Sequence, residues 1–348
     1  MELTVRTKLV LNKENLTRIN FILSEYIKTV NDIFKLMVLE DKKLRLSSKD
    51  IEAVLPSAVK NQAIRDAKSL YTRFKKTKRQ CVLKKEVCIW NNQNYKIKDD
   101  YLYFPVIVNE RSKRIKIKLL LTNYQRKLLE GKLGTLRITK KSKKLIAQIA
   151  VRVKRKTAKG NKTMGVDLGL KIPAVAVIED GETRFLGNGR QNKYVRRKNK
   201  EYRRKLGINK KVGVIKRNKD KEKRWMSDKD HKISREIVNF AKEKNVSVIR
   251  LEKLANIRNT ARTSRKNAKN LHTWSFYRLA FFIEYKANLE GIGVEYVNPK
   301  NTSKLCPRCK ILNVAKDRKY GCSCGFKTHR DRVGAMNIIH ATVVGGLA

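Results

Sequence analysis

Two short cysteine pairs near the C-terminal end constrain the fold of this chain more than any other feature. The pairs are Cys306/Cys309 and Cys322/Cys324. Four thiolates arranged in two close pairs, about a dozen residues apart, are the ligand set of a closed tetrahedral zinc site. A zinc-bound knuckle is rigid, so it holds the segment that follows it in a fixed place. That segment, 328–332, contains Asp331, and we expect the knuckle to position this acid.

Two acids further upstream each close an apolar stretch typical of a buried strand. Asp167 follows Met-Gly-Val, and Glu252 ends the stretch 246–252. A carboxylate at the end of a buried strand is costly to desolvate unless a metal ion or another cation compensates it. Mg²⁺ prefers a few carboxylate ligands, and two such ions can hold the attacking and leaving oxygens of a phosphodiester. Asp167, Glu252 and Asp331 could meet in one metal-binding cluster, but the residues alone do not select these three among the 31 acids. The alternative is capping or ion-pair roles for the same acids.

The charge of the chain indicates a polyanionic partner. Its 348 residues include 84 Lys and Arg against 31 Asp and Glu, a formal charge of +53. Such an excess opposes compaction unless a polyanion neutralises it. Nucleic acid is favoured over membrane because no apolar run approaches the roughly 18 residues of a spanning helix and the N-terminus does not resemble a signal peptide. Cysteines with metal spacing suit a reducing compartment, so we expect a cytoplasmic protein, associated with the nucleoid through DNA.

The period of the apolar residues divides the chain into regions. Alternation over 2–11 predicts a strand, and recurrence every three or four residues predicts helices over 15–38 and after Pro56. Short apolar stretches between 82 and 158 predict a small antiparallel barrel. The two helices are then an insertion after the first strand of this barrel. In the C-terminal half, strands alternating with helices predict an α/β fold.

A strongly basic segment lies within this C-terminal half. Residues 190–224 contain 17 Lys and Arg against 3 Asp and Glu, a net charge of +14 in 35 residues. Tyr194, Tyr202 and Trp225 are interleaved with or adjacent to these cations. Aromatic rings among arginines favour a segment that contacts phosphates and bases. A solvated helical face is the alternative.

Several blocks of the sequence together resemble TnpB, a family of transposon-encoded, RNA-guided nucleases related to the compact type V CRISPR effectors. The blocks are 164–177, 230–238, 248–254, 274–277, 284–287, 291–292, 302–303 and the first cysteine pair. The resemblance spans about residues 160–340. The N-terminal half is similar to the family only in layout.

The resemblance implies an α/β multidomain protein whose main part is a RuvC-type nuclease of RNase H fold with a zinc-ribbon insertion. A wedge-type β-barrel carrying a helical recognition insertion would precede it. The implied boundaries are 1–14 and 80–158 for the barrel, 15–79 for the insertion and 159–348 for the nuclease domain, with the basic segment at 190–226 and the zinc-binding knuckle at 303–328.

The family's three metal-binding acids correspond here to Asp167, Glu252 and Asp331. The resemblance therefore implies a two-ion Mg²⁺ site for phosphodiester hydrolysis, and structural Zn²⁺ on the four cysteines. Guide RNA and target DNA are the expected partners, with base pairing selecting the sequence; the oligomeric state stays open. Two alternatives remain: an RNA-guided DNA-binding protein with weak or no cleavage, and a guide-independent RuvC-like nuclease.

The chain departs from the family pattern in three places. Val333-Gly334 stands where the family usually has Asn-Ala, which bears on the position of the helix after Asp331. Lys310 replaces a glycine that usually follows the first cysteine pair, and the second pair is Cys-x-Cys where Cys-x-x-Cys is commoner. Because the tighter pair strains a tetrahedron, His329 is an alternative ligand, and a metal-free collapsed knuckle is the alternative to a zinc site.

Overall fold

The chain folds into two compact units, Met1–Lys154 and Arg155–Ala348, in a computed structural model. The structure describes residues 1–141, 144–157, 160–254 and 275–345. Trp274, one of the residues that carry the family resemblance, lies outside the described residues, as does the predicted domain boundary at 158/159. Within the described ranges, no helix combines the length and the apolar character needed to cross a membrane.

In its described residues, the first unit contains two long helices, one short helix and seven strands. In chain order these are β1 (Glu2–Val10), α1 (Lys13–Leu39), α2 (Ser57–Thr77), β2 (Val87–Trp90), β3 (Lys96–Lys98), β4 (Tyr101–Val108), β5 (Arg111–Leu119), α3 (Asn123–Leu129), β6 (Lys132–Lys141) and β7 (Lys144–Arg152). Both predicted long helices are present. The short elements β3 and α3 were not predicted, because each is too brief to show a period in the sequence.

Helices α1 and α2 pack against each other through their apolar faces. Asn12 begins α1, and its side chain accepts a hydrogen bond from the backbone N–H of Asn15, as N-cap residues do. The hydroxyl of the buried Tyr26 donates to Asp66 of α2 at 2.7 Å. The side chains that the two helices bury belong to one core with the sheet.

The seven strands form one antiparallel sheet in the order β2-β6-β7-β1-β5-β4-β3. The sheet curls, because Trp90 of β2 packs against Phe104 of β4 with ring centroids 4.8 Å apart. The indole N–H of Trp90 also donates to the carbonyl oxygen of Pro105 at 3.2 Å. No described pairing joins β2 to β3, so the structure shows a half-barrel where the sequence predicted a barrel.

The second unit alternates strands and helices. Its elements are β8 (Lys162–Asp167), β9 (Ala174–Ile178), β10 (Thr183–Leu186), α4 (Gly189–Ile208), α5 (Val212–Asn218), α6 (Lys221–Glu243), β11 (Val246–Glu252), α7 (Phe276–Leu289), β12 (Gly293–Val297), β13 (Lys319–Gly321), β14 (Lys327–His329), α8 (Arg330–His340) and β15 (Val343–Val344). Helix α6 begins at Lys221, ten residues before the apolar helical period of this segment becomes visible in the sequence at 231. Its first ten residues bury only Met226 and Asp230, so they carry little apolar period.

A mixed six-stranded sheet, ordered β10-β9-β8-β11-β12-β15, forms the centre of this unit. Strands β8, β11 and β12 are parallel to one another, β9 and β15 pair antiparallel with β8 and β12, and the edge strand β10 pairs antiparallel with β9. Side chains of α6 and α7 share a core with one face of the sheet, whereas α8 packs against Val175 and Val177 of β9 in a separate cluster. The predicted α/β class of the C-terminal half is confirmed.

Candidate functional site

Asp167 and Glu252 end two neighbouring parallel strands. Strands β8 and β11 pair with Val166 opposite Leu251, so the next residue of each strand, Asp167 or Glu252, leaves the sheet at the same edge. The carboxyl ends of parallel strands are the edge at which open α/β sheets bind their ligands. The sheet therefore brings together the two strand-end acids identified in the sequence.

Helix α8 brings Asp331 to the same edge. The helix lies directly on β8, because a Cβ on Gly165 would be 2.0 Å from the carbonyl oxygen of Ala335. One residue earlier, a Cβ on Gly334 would be 3.0 Å from Oδ2 of Asp167. The glycine that departs from the family pattern thus gives the Asp167 carboxylate space against the helix.

Burial and mutual repulsion make the three acids an unfavourable set without a cation. Desolvation, followed by the charges of Glu252 and Asp331, raises the pKa of Asp167 well above its ordinary value. Desolvation also raises the pKa of Glu252, and the hydroxyl of Thr302 opposes this by donating a hydrogen bond to Glu252 Oε1. Oδ2 of Asp331 is buried and accepts no hydrogen bond. Buried, repelling carboxylates of this kind are typical of a cation site.

Arg318 contacts the other oxygen of Asp331. Its guanidinium forms an ion pair and a hydrogen bond with Asp331 Oδ1. Its backbone carbonyl accepts a hydrogen bond from the N–H of Arg330 at 2.9 Å. Because Arg318 lies between the two cysteine pairs, it connects the knuckle directly to the acid. Its role was not predicted, although a cation within the knuckle and near a buried acid is a signal that could have found it.

Asn337 of α8 fixes the loop that precedes the first cysteine pair. Its amide donates to the carbonyl oxygens of Thr302 and Leu305, both at 2.7 Å. Thr302 in turn donates to Glu252. Helix α8 therefore carries one acid and holds in place the hydrogen-bond partner of another.

The four cysteines form a compact cluster. Their Sγ atoms all lie within 4.8 Å of one another. Cys306 and Cys324 are 3.7 Å apart and Cys309 and Cys322 are 3.3 Å apart, sulfur to sulfur, near the about 3.8 Å of a tetrahedron with zinc–sulfur bonds of about 2.3 Å. Hydrogen bonding, led by the backbone N–H of Cys324, lowers the pKa of Cys322 to about 6, which favours the thiolate form that metals bind.

His329, the alternative ligand, has a different role in the structure. Nδ1 of His329 accepts the backbone N–H of Asp331 at 3.2 Å, so the histidine caps helix α8. Its ring packs edge to face on Phe185, with centroids 5.2 Å apart. Among the described residues, the cysteines are the compact group of metal-binding side chains, and the three acids form no equally tight set.

Helix α4 presents a basic face within the segment 190–226. Four of its cations, Lys193, Arg197, Lys200 and Arg204, are exposed and recur every three or four residues, which places them on one side of the helix. Tyr194 is 62% exposed and Tyr202 is 45% exposed. These side chains are available to phosphates and bases.

The fold and the site together define an α/β protein with buried carboxylates at a sheet edge and a cysteine cluster of metal-binding geometry. Two protein families match its sequence: residues 146–258 match the one described as a probable transposase, OrfB_IS605, and residues 276–338 the one described as the Cas12f1-like TNB domain. A TnpB-like protein of Methanocaldococcus jannaschii is 42% identical over 121 residues, which cover 34% of this chain and 43% of that protein. The resemblance to the TnpB family is thereby confirmed.

The chain is also similar in sequence to a Cas12f1 protein and in fold to two solved structures. The CRISPR-associated endodeoxyribonuclease Cas12f1 of Sulfoacidibacillus thermotolerans is 27% identical over 198 residues, covering 51% of this chain and 45% of that protein. The matches thus span less than half the length of these two relatives. A Cas12f1–sgRNA–target DNA complex shares the fold with a TM-score of 0.69 at 16% identity, covering 96% of this chain and 84% of that one. The mini-RNA-guided endonuclease CRISPR-Cas_phi3 has a TM-score of 0.50 at 11% identity, covering 98% and 92%.

Proposed function

We propose that this protein is an RNA-guided DNA endonuclease with a RuvC-type active site. The meeting of Asp167, Glu252 and Asp331 at one edge of the mixed sheet carries the proposal. The unit that contains this sheet is then the nuclease domain of RNase H fold. The half-barrel is the wedge domain, with α1 and α2 as its recognition insertion. Relatives named as endodeoxyribonucleases support the assignment.

Mg²⁺ fits the donor set of this site. The three residues offer carboxylate oxygens, which are the ligands that Mg²⁺ prefers. Arg318 holds Oδ1 of Asp331 and leaves the buried Oδ2 without a partner, so Oδ2 is available to a cation. Thr302 orients Glu252 in the same way. When bound, two Mg²⁺ ions would activate the attacking water and stabilise the leaving oxygen of the phosphodiester.

The residues of the chain have two tasks in this reaction. Asp167, Glu252 and Asp331 bind the metal, and their neighbours Thr302 and Arg318 keep the carboxylates in one orientation. Such orientation matters because a misplacement of about 1 Å costs on the order of a hundredfold in rate. The products implied by a nuclease of this fold carry 5′-phosphate and 3′-hydroxyl ends.

The cysteine cluster would hold one structural Zn²⁺ through Cys306, Cys309, Cys322 and Cys324. All four positions are filled by protein thiols, as in closed structural sites. The metal would fix the position of Arg318, which lies between the two pairs, and through it the position of Asp331. Zinc would therefore support cleavage without taking part in it.

Guide RNA and target DNA are the proposed partners. The formal charge of +53 suits a polyanion, and the exposed cations of α4 provide one surface for phosphates. The solved structure with the same fold contains an sgRNA and a target DNA. Pairing with the guide would select the sequence, and the protein would recognise duplex shape and a short flanking motif.

The test begins with sequencing the RNA that purifies with the protein. The protein is then freed of RNA and reconstituted with a guide whose targeting segment has been exchanged. We expect RNA-free protein to leave its target intact and the exchanged guide to redirect cleavage. Specific cutting by rigorously RNA-free protein would establish the guide-independent nuclease, and guided binding with no cut in excess Mg²⁺ would establish the non-cleaving alternative.

A further inference from the structure

The outer face of strands β3–β5 carries two tyrosines flanked by lysines. In the pairing register, Tyr101 lies between Lys98 and Lys118, and Tyr103 lies between Lys96 and Lys116. These six residues form a surface that we call the tyrosine–lysine ribbon. The four lysines are exposed and the two tyrosines are half-buried, so both rings and all four ammonium groups can reach a ligand.

The backbone beneath the ribbon is rigid. On the inner face of the same strands, Leu102, Phe104 and Ile117 are buried in the core of the half-barrel. Both hairpins are closed by two residues with positive φ, Asp99–Asp100 and Asn109–Glu110, which is the geometry of tight type I′ turns. A buried inner face and tight turns fix the strand register. The Cα atoms of the two tyrosines are therefore held about 6.8 Å apart along β4.

The need to keep an edge strand from pairing with another sheet explains only some of the lysines in the tyrosine–lysine ribbon. Lysines on an edge strand prevent it from pairing with another sheet, and Lys96 and Lys98 lie on the edge strand β3. Lys118 lies on β5 opposite Val10 of β1 as well as Tyr101 of β4, so it has no edge to protect. The half-buried tyrosine rings do not contribute to such protection either.

The lysines and rings already interact in the free protein. The ammonium nitrogen of Lys116 lies 4.1 Å from the ring centroid of Tyr101 and 6.0 Å from that of Tyr103. Such contacts are worth little at an exposed site, so the lysine can leave the ring for a phosphate. The ring face that it covers is then open to a base.

We propose that the tyrosine–lysine ribbon binds unpaired nucleotides of RNA, with one base stacked on Tyr101 and another on Tyr103. The four lysines contact the phosphates on either side. Aromatic rings on a sheet bind single strands in this way, because every base offers a π-face and the stacking needs no particular sequence. That the strand is RNA, an unpaired stretch of the guide, rests on the proposed function.

The experiment compares base stacking with plain charge attraction. The probes are a fluorescent 12-nucleotide oligouridine, an abasic strand of the same length and charge, and an oligothymidine. Full-length, RNA-free protein is used in moderate salt without added divalent cations. The variants are Tyr101→Ala/Tyr103→Ala, the conservative Tyr101→Phe/Tyr103→Phe, and Tyr124→Ala, a control tyrosine on α3 that is 53% exposed.

We expect the wild type to bind oligouridine about tenfold or more tightly than the abasic strand. The double alanine variant should lose this preference while keeping its affinity for the abasic strand. The double phenylalanine variant and Tyr124→Ala should both keep the preference. Retention of the preference by the phenylalanine variant identifies stacking, because a merely structural role of the hydroxyl groups would not give that pattern.

Two results would overturn the proposal. An unchanged base preference in the double alanine variant would show that the rings do not stack on bases. A tyrosine-dependent preference for oligothymidine over oligouridine would assign the ribbon to a displaced DNA strand instead of RNA. Neither result bears on the acid site, because the binding measurements involve no cleavage. The proposed nuclease function is tested separately, by the guide-exchange experiment.

Discussion

The carbonyl oxygen of Ala335 lies 2.0 Å from the position that a Cβ on Gly165 would occupy. Strand β8 and helix α8 thus meet backbone to backbone, two residues before Asp167 on the strand and four residues after Asp331 on the helix. The separation of these two acids depends on the absence of a side chain at position 165.

The variant Gly165→Ala is expected to push α8 off β8. Overpacking of this kind costs about 1–3 kcal/mol, and displacement of Asp331 should lower cleavage by on the order of a hundredfold. Thermal unfolding and single-turnover cleavage measure the two effects. Gly293→Ala is the control in the same sheet, because a Cβ there would meet its nearest atoms at 3.6 Å. Wild-type cleavage by Gly165→Ala would show that the close approach is not needed.

The variants Asp167→Asn and Glu252→Gln are expected to abolish Mg²⁺-dependent cleavage while target binding stays close to wild type. Each change removes a ligand of the proposed Mg²⁺ site, whereas carboxylates contribute nothing favourable to phosphate affinity. Gel-shift and cleavage assays on the same reconstituted complex separate the two properties. Asp180→Asn, an exposed acid paired with Lys162 in the same unit, should cleave normally. Wild-type cleavage by either active-site variant would refute the assigned site.

About one Zn²⁺ per chain is expected to remain through purification. Cys322→Ser should release it, because three thiolates bind Zn²⁺ far more weakly than four. Cleavage should then fall, since Arg318 and with it Asp331 lose their support. Elemental analysis of wild type, Cys322→Ser and the control Cys81→Ser measures the metal content. Active wild-type protein that contains no zinc would contradict the site.

The exposed cations of α4 are expected to bind RNA through phosphates. Changing Lys193, Arg197, Lys200 and Arg204 together to glutamine should weaken RNA binding. It should also reduce the slope of log affinity against log salt by about 0.7 for each phosphate that the variant no longer neutralises. Fluorescence titrations over a range of salt concentrations test this expectation. A weaker affinity with an unchanged slope would indicate a structural defect, because binding would then still neutralise the same number of phosphates.

The buried Lys286 is expected to give stability a pH dependence. It connects α7 to α6 by donating to the carbonyl oxygen of His231 and to Ser234 Oγ, both at 2.6 Å. Desolvation lowers its pKa to about 8, from about 10.4 in an unfolded chain. Between these two values the unfolded state holds more protons than the folded state, so stability increases with pH by up to about 1.4 kcal/mol per unit. Below pH 8, Lys286 is protonated in both the folded and the unfolded state, so the free-energy cost of burying its charge no longer changes with pH.

The comparison of wild type with Lys286→Met isolates this effect, because other titrations are common to both proteins. The melting temperature of the wild type should increase relative to that of Lys286→Met as the pH rises from about 8 to 10. Lys232→Met, an exposed lysine of α6 paired with Asp228, should show no such trend. A constant difference for Lys286→Met across this range would contradict the burial of a charged amine.

Much of the local structure and part of the site could be predicted from the sequence. The strand 246–252 coincides with β11, because seven consecutive residues of strand-forming pattern need no distant partner to be recognised. The cysteine spacing predicted a cluster that the structure brings within 4.8 Å. Asp167 and Glu252 stood out because a carboxylate at the end of an apolar strand is a local anomaly.

Other features depend on contacts between residues that are distant in the sequence. The ion pair of Arg318 with Asp331, the hydrogen bond of Thr302 with Glu252 and the close approach of Gly165 to Ala335 join segments that no local period connects. The curl that brings the two ends of the first sheet towards each other likewise involves the contact of Trp90 with Phe104, which the chain order does not reveal. The sequence by itself determined which side chains could bind metal or phosphate, because that is a matter of residue chemistry. Only tertiary packing decided how far apart the acids lie and which oxygen of Asp331 stays free, because both depend on how closely two backbones can approach.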